Sequence, residues 1–358
     1  MSRSIRVLLA LLVLGDLSAA AGAGPVGRYQ ETTLVTSATD PDLINPWGIS
    51  FSPASPFWIS DNGTGKSTLY NSMGVKQGLV ISMPAGGAAV TGQVFNGSAA
   101  FKADSFLFAS ENGTIMGWRG ALGTVAETLF TVSGAVYKGL AISSDKQTLY
   151  ASNFAAGTLD VFNSSGLVSS IADPTVPAGY APFNVQNIGG RIYVTFALSN
   201  GHDDIAGAGH GFVKVFDPAT GTFTSLVAQG SLDSPWGLAL APLGFGALGG
   251  DLLVGNFGDG SINAYDPGSG LFEGTLADIN ANPLSIDGLW GLSFGNGGNG
   301  GSAGSLYLTA GPNGETGGLF ARIDAIAVPE PGTLALVLIA TTGLVRRRPR
   351  AIGHRDRA

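Results

Sequence analysis

The chain has 358 residues, with 56 glycines, 12% charged residues, 44% hydrophobic residues and no cysteine. That composition excludes a disordered polymer, a disulfide framework and any thiolate nucleophile or thiolate metal site. Between Gly24 and Val345 there are ten Lys and Arg against 23 Asp and Glu, a body charge of about −13 that disfavours nucleic acid and acidic membranes and leaves neutral or cationic polymers and divalent cations.

Residues 1–23 read as a secretory signal peptide. Arg3 and Arg6 precede the apolar run Val7 to Leu14, and the small residues Ala19 to Ala23 follow. The run is too short to span a hydrocarbon core of about 30 Å, which argues against a retained anchor.

From Tyr29 onward short β-branched and aromatic runs alternate with Gly, Asn, Asp and Pro turns. One hairpin pattern recurs. Phe57 to Gly63 precedes Ser67 to Asn71, and Phe106 to Gly113 precedes Thr114 to Trp118. Leu149 to Asn153 precedes Thr158 to Asn163, and Ile192 to Thr195 precedes Phe212 to Asp217. Leu252 to Asn256 precedes Ser261 to Asp266, and Leu306 to Thr309 precedes Leu319 to Asp324. A further strand leads into these hairpins, clearest in Asn45-Pro46-Trp47-Gly48-Ile49, Tyr137-Lys138-Gly139-Leu140, Ser234-Pro235-Trp236-Gly237-Leu238 and Leu289-Trp290-Gly291-Leu292. Ala181 to Val185 and Thr91 to Phe95 are weaker versions.

Six such copies predict an all-β, six-bladed β-propeller of four-stranded antiparallel blades over residues 29–326. Paired β-sandwiches would not account for a six-fold recurrence. A glycine beside an aromatic at the start of an innermost strand, as in the clearest copies, fits convergence on a narrow axis, with the Trp or Phe packing between neighbouring blades. The last hairpin ends at Asp324, so Tyr29 to Val35 is expected to supply the outermost strand of blade six and close the ring.

Chemical constellations are few. Gly65-Lys66-Ser67-Thr68 lacks the glycine and the helix of a phosphate loop. His202, Asp203, Asp204 and His210, in a long Gly-rich insert of blade four, form the one His and carboxylate cluster and are weak metal-ligand candidates beside the reading as a solvated loop. Asp61-Asn62-Gly63, Glu111-Asn112-Gly113 and Asn256 to Gly260 offer oxygens that suit calcium, yet the same residues are what tight hairpin turns require. Calcium stays open as a divalent cofactor, and no other cofactor is evident. Asn45, Lys138, Asn184, Asp233 and Asp287 stand at or near inner-strand starts and are the candidates for a binding surface at the channel mouth.

The C-terminus, residues 328–350, has three parts. Pro329-Glu330-Pro331 leads into the apolar stretch Leu334 to Val345, read as a short transmembrane helix, and Arg346, Arg347 and Arg348 follow at its cytoplasmic end. Residues 351–358 form a short tail. This order resembles the PEP-CTERM sorting signal. The resemblance implies recognition by an exosortase, a membrane transpeptidase-like cysteine enzyme, after transient anchoring in the inner membrane, and delivery to the cell envelope or beyond. It also implies a bacterial host that makes extracellular polymer.

The strings Asn45 to Ile49, Tyr180 to Leu198, Ser234 to Pro242, Gly250 to Asp266 and Gly288 to Gly297 resemble PEP-CTERM-associated propeller proteins of bacteria, a family that implies fold and export but no reaction. Gluconolactonase-like and strictosidine-synthase-like propellers hold a divalent metal with carboxylates at the channel mouth, a pattern with Glu at inner-strand starts that is not matched here. The expectation is an exported binding or structural module for extracellular polysaccharide or an envelope protein. A metal-dependent lactonase-like hydrolase is the alternative, disfavoured because no acid, base and metal set assembles in the sequence.

Overall fold

The computed structural model describes residues 24–85 and 87–326. The expected signal peptide and the whole sorting tail, including Pro329, Glu330, Pro331 and Arg346 to Arg348, lie outside the described residues, as does the expected transmembrane helix. Among the described residues no helix is long and apolar enough to cross a membrane.

Six sheets surround one axis. Their innermost strands are Pro46–Ser50, Val90–Phe95, Tyr137–Ile142, Tyr180–Ile188, Pro235–Leu240 and Leu289–Phe294, each adjoining the next, and the sixth adjoins the first. The second strands are Phe57–Asp61, Phe106–Ser110, Leu149–Asn153, Arg191–Leu198, Leu252–Asn256 and Leu306–Ala310. Facing a neighbouring blade on both sides, most of these are buried along their whole length, which is why they read as continuous apolar runs rather than alternating ones. The third strands are Lys66–Tyr70, Thr114–Trp118, Thr158–Asn163, Gly211–Asp217, Ile262–Tyr265 and Leu319–Ala325.

Five blades finish with their own fourth strand, and blade six borrows Tyr29–Thr36, which pairs antiparallel with Leu319–Ala325 from Tyr29↔Ala325 to Thr36↔Leu319. The expected closure therefore holds, one residue longer than predicted. Just before it, Pro25–Val26 adds a parallel strand to blade five, so the entering chain ties two blades together. The segment that follows is clamped to blade one. Lys76 reaches Asp40 (2.8 Å) and Asp42 (2.7 Å), and the Tyr70 hydroxyl donates to Asp40 (2.7 Å).

Every innermost strand carries a register shift near its axial residue, between Pro46 and Ile49, Val90 and Gln93, Tyr137 and Gly139, Pro182 and Asn184, Pro235 and Gly237, and Leu289 and Leu292. Such bulges bend a strand and re-aim its side chains. The axial glycines are set by close approach. A Cβ on Gly139 would lie 2.2 Å from Asn184 Oδ1, and one on Gly291 would lie 2.6 Å from the Trp47 carbonyl. Blade four alone places a larger residue there: Asn184 donates from Nδ2 to the Trp236 carbonyl of blade five (2.8 Å).

Candidate functional site

Two sets of chain segments meet at one end of the channel. The first is the starts of the innermost strands. The second is the loops joining second to third strands, which deliver Asn62, Glu111, Phe154, Asp203, Phe257 and Glu315 from blades one to six in turn.

The floor of this mouth is aromatic. Trp47 stacks on Trp290 with centroids 3.6 Å apart, Phe257 stacks on the other side of Trp290 (4.1 Å), and Trp236 meets Trp290 edge-on (5.7 Å). The tryptophans come from blades five, six and one, so Trp236 with Trp290 and Trp290 with Trp47 pack between neighbouring blades as expected, and the bulges turn these first residues of the strands inward toward the axis. Two indole N–H groups hold mouth residues in place. Trp290 donates to Asn45 Oδ1 (2.9 Å) and Trp236 donates to the Lys138 carbonyl (3.1 Å).

A polar network lies over that floor. Asn45 Nδ2 donates to Glu315 (2.6 Å), and Asn62 Nδ2 donates to Glu111 (3.0 Å). The buried Lys138 ammonium bridges Glu111 and Asp203, the latter at 3.0 Å, and lies 5.3 Å over the Trp47 ring. His202 Nδ1 is 3.0 Å from Asp203 Oδ1. Burial opposes ionisation of Asp203, but the Lys138 ammonium, with His202 beside it, holds its carboxyl below the usual range. Glu315 moves the other way. Its carboxyl is drawn toward the buried Asn45, and desolvation raises its pKa against the Asn45 hydrogen bond. Desolvation raises Asp204 as well, with Lys138 pulling back.

The predicted residues are sorted by this geometry. Asn45 and Lys138 sit in the network. Asn184 does not belong to the mouth: it stands inside the channel, filling the place of a glycine and tying two blades. Asp233 accepts from the Gly207 amide (2.7 Å) and pins the blade-four insert, while Asp287 accepts from the Asn313 amide (2.8 Å) and steadies the loop that carries Glu315.

The weak metal candidates divide. Glu111, His202 and Asp203 bring one ligand atom each within 4.8 Å of one another. His210 turns away and donates from Nδ1 to the Ile205 carbonyl (2.8 Å). Lys138 already supplies a cation to both carboxylates of that trio, so it competes with any metal.

Glu315 escaped the sequence reading, and Asn62 and Glu111 were weighed there as calcium-type oxygens and as turn residues, not as parts of a shared mouth. The signal was in the repeat, since all three occupy the same loop of their blades.

No family model matches the sequence. The chain is 32% identical over 282 residues to the uncharacterised protein R648 of Acanthamoeba polyphaga mimivirus, covering 71% of this chain and 69% of that one. It is 29% identical over 286 residues to protein L690 of the same virus, covering 71% and 74%. Among solved structures it is similar to virginiamycin B lyase from Staphylococcus aureus, with a TM-score of 0.52, 13% identity and 84% and 100% of the two chains covered. A luciferin-regenerating enzyme matches with a TM-score of 0.53, 13% identity and 84% and 96% coverage. At such identities these likenesses concern the fold alone.

Proposed function

The chain belongs to the family of mimivirus protein R648, and from that premise we propose that it is an exported propeller that binds neutral or cationic extracellular polysaccharide at the Glu111–Lys138–Glu315 mouth. The observation that carries this reading is the mutual saturation of the mouth. Asn45, Asn62 and Lys138 hold the carboxylates of Glu315, Glu111 and Asp203 in fixed positions over a closed aromatic floor. A rigid rim of oriented acceptors suits hydroxyl or ammonium donors of a polymer, with little ordering cost on binding. The acidic body works against anionic polymers.

The test is affinity electrophoresis of the purified chain in gels containing dextran, chitosan or alginate. Retardation by dextran or chitosan but not alginate is expected, weakened in Asp203→Asn and Glu315→Gln. No retardation by any of the three would overturn the reading.

A hydrolase remains the second reading because the carboxyls of one mouth are pushed apart, Asp203 toward the ionised form and Glu315 and Asp204 toward the protonated one. Stoichiometric calcium in the purified protein, with lactone hydrolysis that a chelator abolishes, would establish it.

Export and sorting belong to the same proposal. Tyr29 pairs with Ala325, so the segments before and after the ring leave it side by side, and both end signals can be cut away without opening a blade. An exosortase-type enzyme, met at the inner membrane, is the proposed partner. Mass spectrometry of the mature protein should find a chain that starts near Gly24 and lacks the Arg cluster. An intact chain ending at Ala358 in a strain with an active exosortase would refute the sorting step.

A further inference from the structure

The opposite end of the channel is a cavity of about 570 Å³. It starts at the axial residues Gly48, Gly92, Asn184 and Gly291, against Trp236 of the aromatic floor, and extends past the ends of the innermost strands at Ser50, Ile142 and Ser293. Ile49, Leu140, Val185 and Leu292 line its walls. Its size lies within the range of about 300–1,000 Å³ typical of small-molecule pockets, and slightly more than half of its lining surface is apolar.

Two polar side chains in the lining have no partner among the described residues. The Gln186 side-chain amide makes no hydrogen bond, and the Lys146 ammonium has neither an ion pair nor a hydrogen bond. Lys146 is also the one charged side chain in the lining, in a protein whose body is strongly acidic. Its neighbour Asp145 gives no compensation, because Asp145 Oδ1 accepts from the Ser143 hydroxyl (2.5 Å) and the Gln147 amide (3.0 Å) of its own turn. Lys146 stands at φ 62°, a conformation that Gly or Asn adopts more easily. Burial lowers its pKa, an effect that an anion at the ammonium would reverse.

We propose that this cavity binds a small, mostly apolar molecule with a single anionic head, a monocarboxylate in chemical class. Its carboxylate sits on Lys146 within reach of Gln186, and its body lies along the channel wall. The aromatic floor separates this site from the mouth at the other end, so it stands independently of the polysaccharide reading.

The probe is 2-naphthoate, with 2-naphthamide as its uncharged counterpart, titrated calorimetrically into the purified full chain. Saturable one-to-one binding of 2-naphthoate is expected, about tenfold or more tighter than 2-naphthamide. Lys146→Met should erase that preference and leave 2-naphthamide binding unchanged. Met inherits the left-handed backbone of Lys, so the substitution adds no strain of its own. Ser293→Trp, which fills the cavity, should abolish both, while Glu315→Gln at the far mouth should alter neither. Absence of saturable 2-naphthoate binding, or equal 2-naphthoate affinity in wild type and Lys146→Met, overturns the proposal. Should Ser293→Trp fail to fold, the ratio of the two probes in wild type and Lys146→Met alone decides.

Discussion

Lys138→Met removes the cation at the centre of the mouth, and the cost divides between its two arms. The Asp203 side chain is 62% exposed, so that arm contributes at most about 1 kcal/mol in screening solvent. Glu111 is 14% exposed and Lys138 3%. Losing the ammonium therefore strands a nearly buried carboxylate with Asn62 Nδ2 as its remaining donor, a loss of about 2–3 kcal/mol. The cation over Trp47 adds about 0.5 kcal/mol, and the Met stem keeps the packing of the Lys stem. The expected deficit is about 3 kcal/mol at pH 7, read as a lower urea midpoint with unchanged m. Adding Glu111→Gln should recover about 2 kcal/mol, because no charge is then stranded. Calcium should raise the melting temperature of Lys138→Met and leave wild type unmoved, since the ammonium no longer competes for Glu111, His202 and Asp203. A deficit below about 1 kcal/mol, or a double variant no more stable than the single one, refutes this account of the mouth.

Lys214 and Asp173 form a second buried pair at 2.6 Å, with side chains 3% and 2% exposed. Burial opposes ionisation of Asp173, but the Lys214 ammonium and the Thr175 hydroxyl hold its carboxyl below the usual range. A carboxyl lowered on folding adds stability above its unfolded pKa of about 3.9, and that stability is lost as pH falls through the folded value. Lys214→Met should thus cost about 3 kcal/mol at pH 7, with the gap to wild type narrowing in urea melts taken toward pH 3. Gly139→Ala should cost about 2–3 kcal/mol by the same assay, whereas Gly120→Ala, whose Cβ meets open space, should change stability by less than about 0.5 kcal/mol. Deleting residues 24–36 bares the Leu319–Ala325 edge of blade six. The variant should melt earlier and run as oligomers in size-exclusion chromatography, and a monomer of unchanged melting temperature would count against strand closure.

Much of this architecture is legible in the residues because hairpins are local. The apolar run of Phe57 to Ser60 and the Asn-Gly turn after it carry their own strand and turn chemistry, and five similar copies leave little choice of fold. The closing strand followed from a deficit, since blade six ends at Ala325 without a fourth strand of its own. Glu315 was invisible for the opposite reason. It sits in Gly311 to Gly318, a stretch with the composition of a solvated turn, and its partner Asn45 is 270 positions away. Asn184 looked like a mouth residue, but the bulge between Pro182 and Asn184 sets it at the axis in place of a glycine.

Strand periodicity, turn chemistry and the order of the blades are properties of neighbouring residues, so the amino-acid sequence alone determined them. Which side chains meet at the axis was decided only by the closed ring. Bulges re-aim the first residues of each innermost strand, and ring closure brings Asn45, Glu111, Lys138, Asp203 and Glu315 together from five of the six blades. Convergence of that kind depends on the angle between blades, which no local pattern encodes.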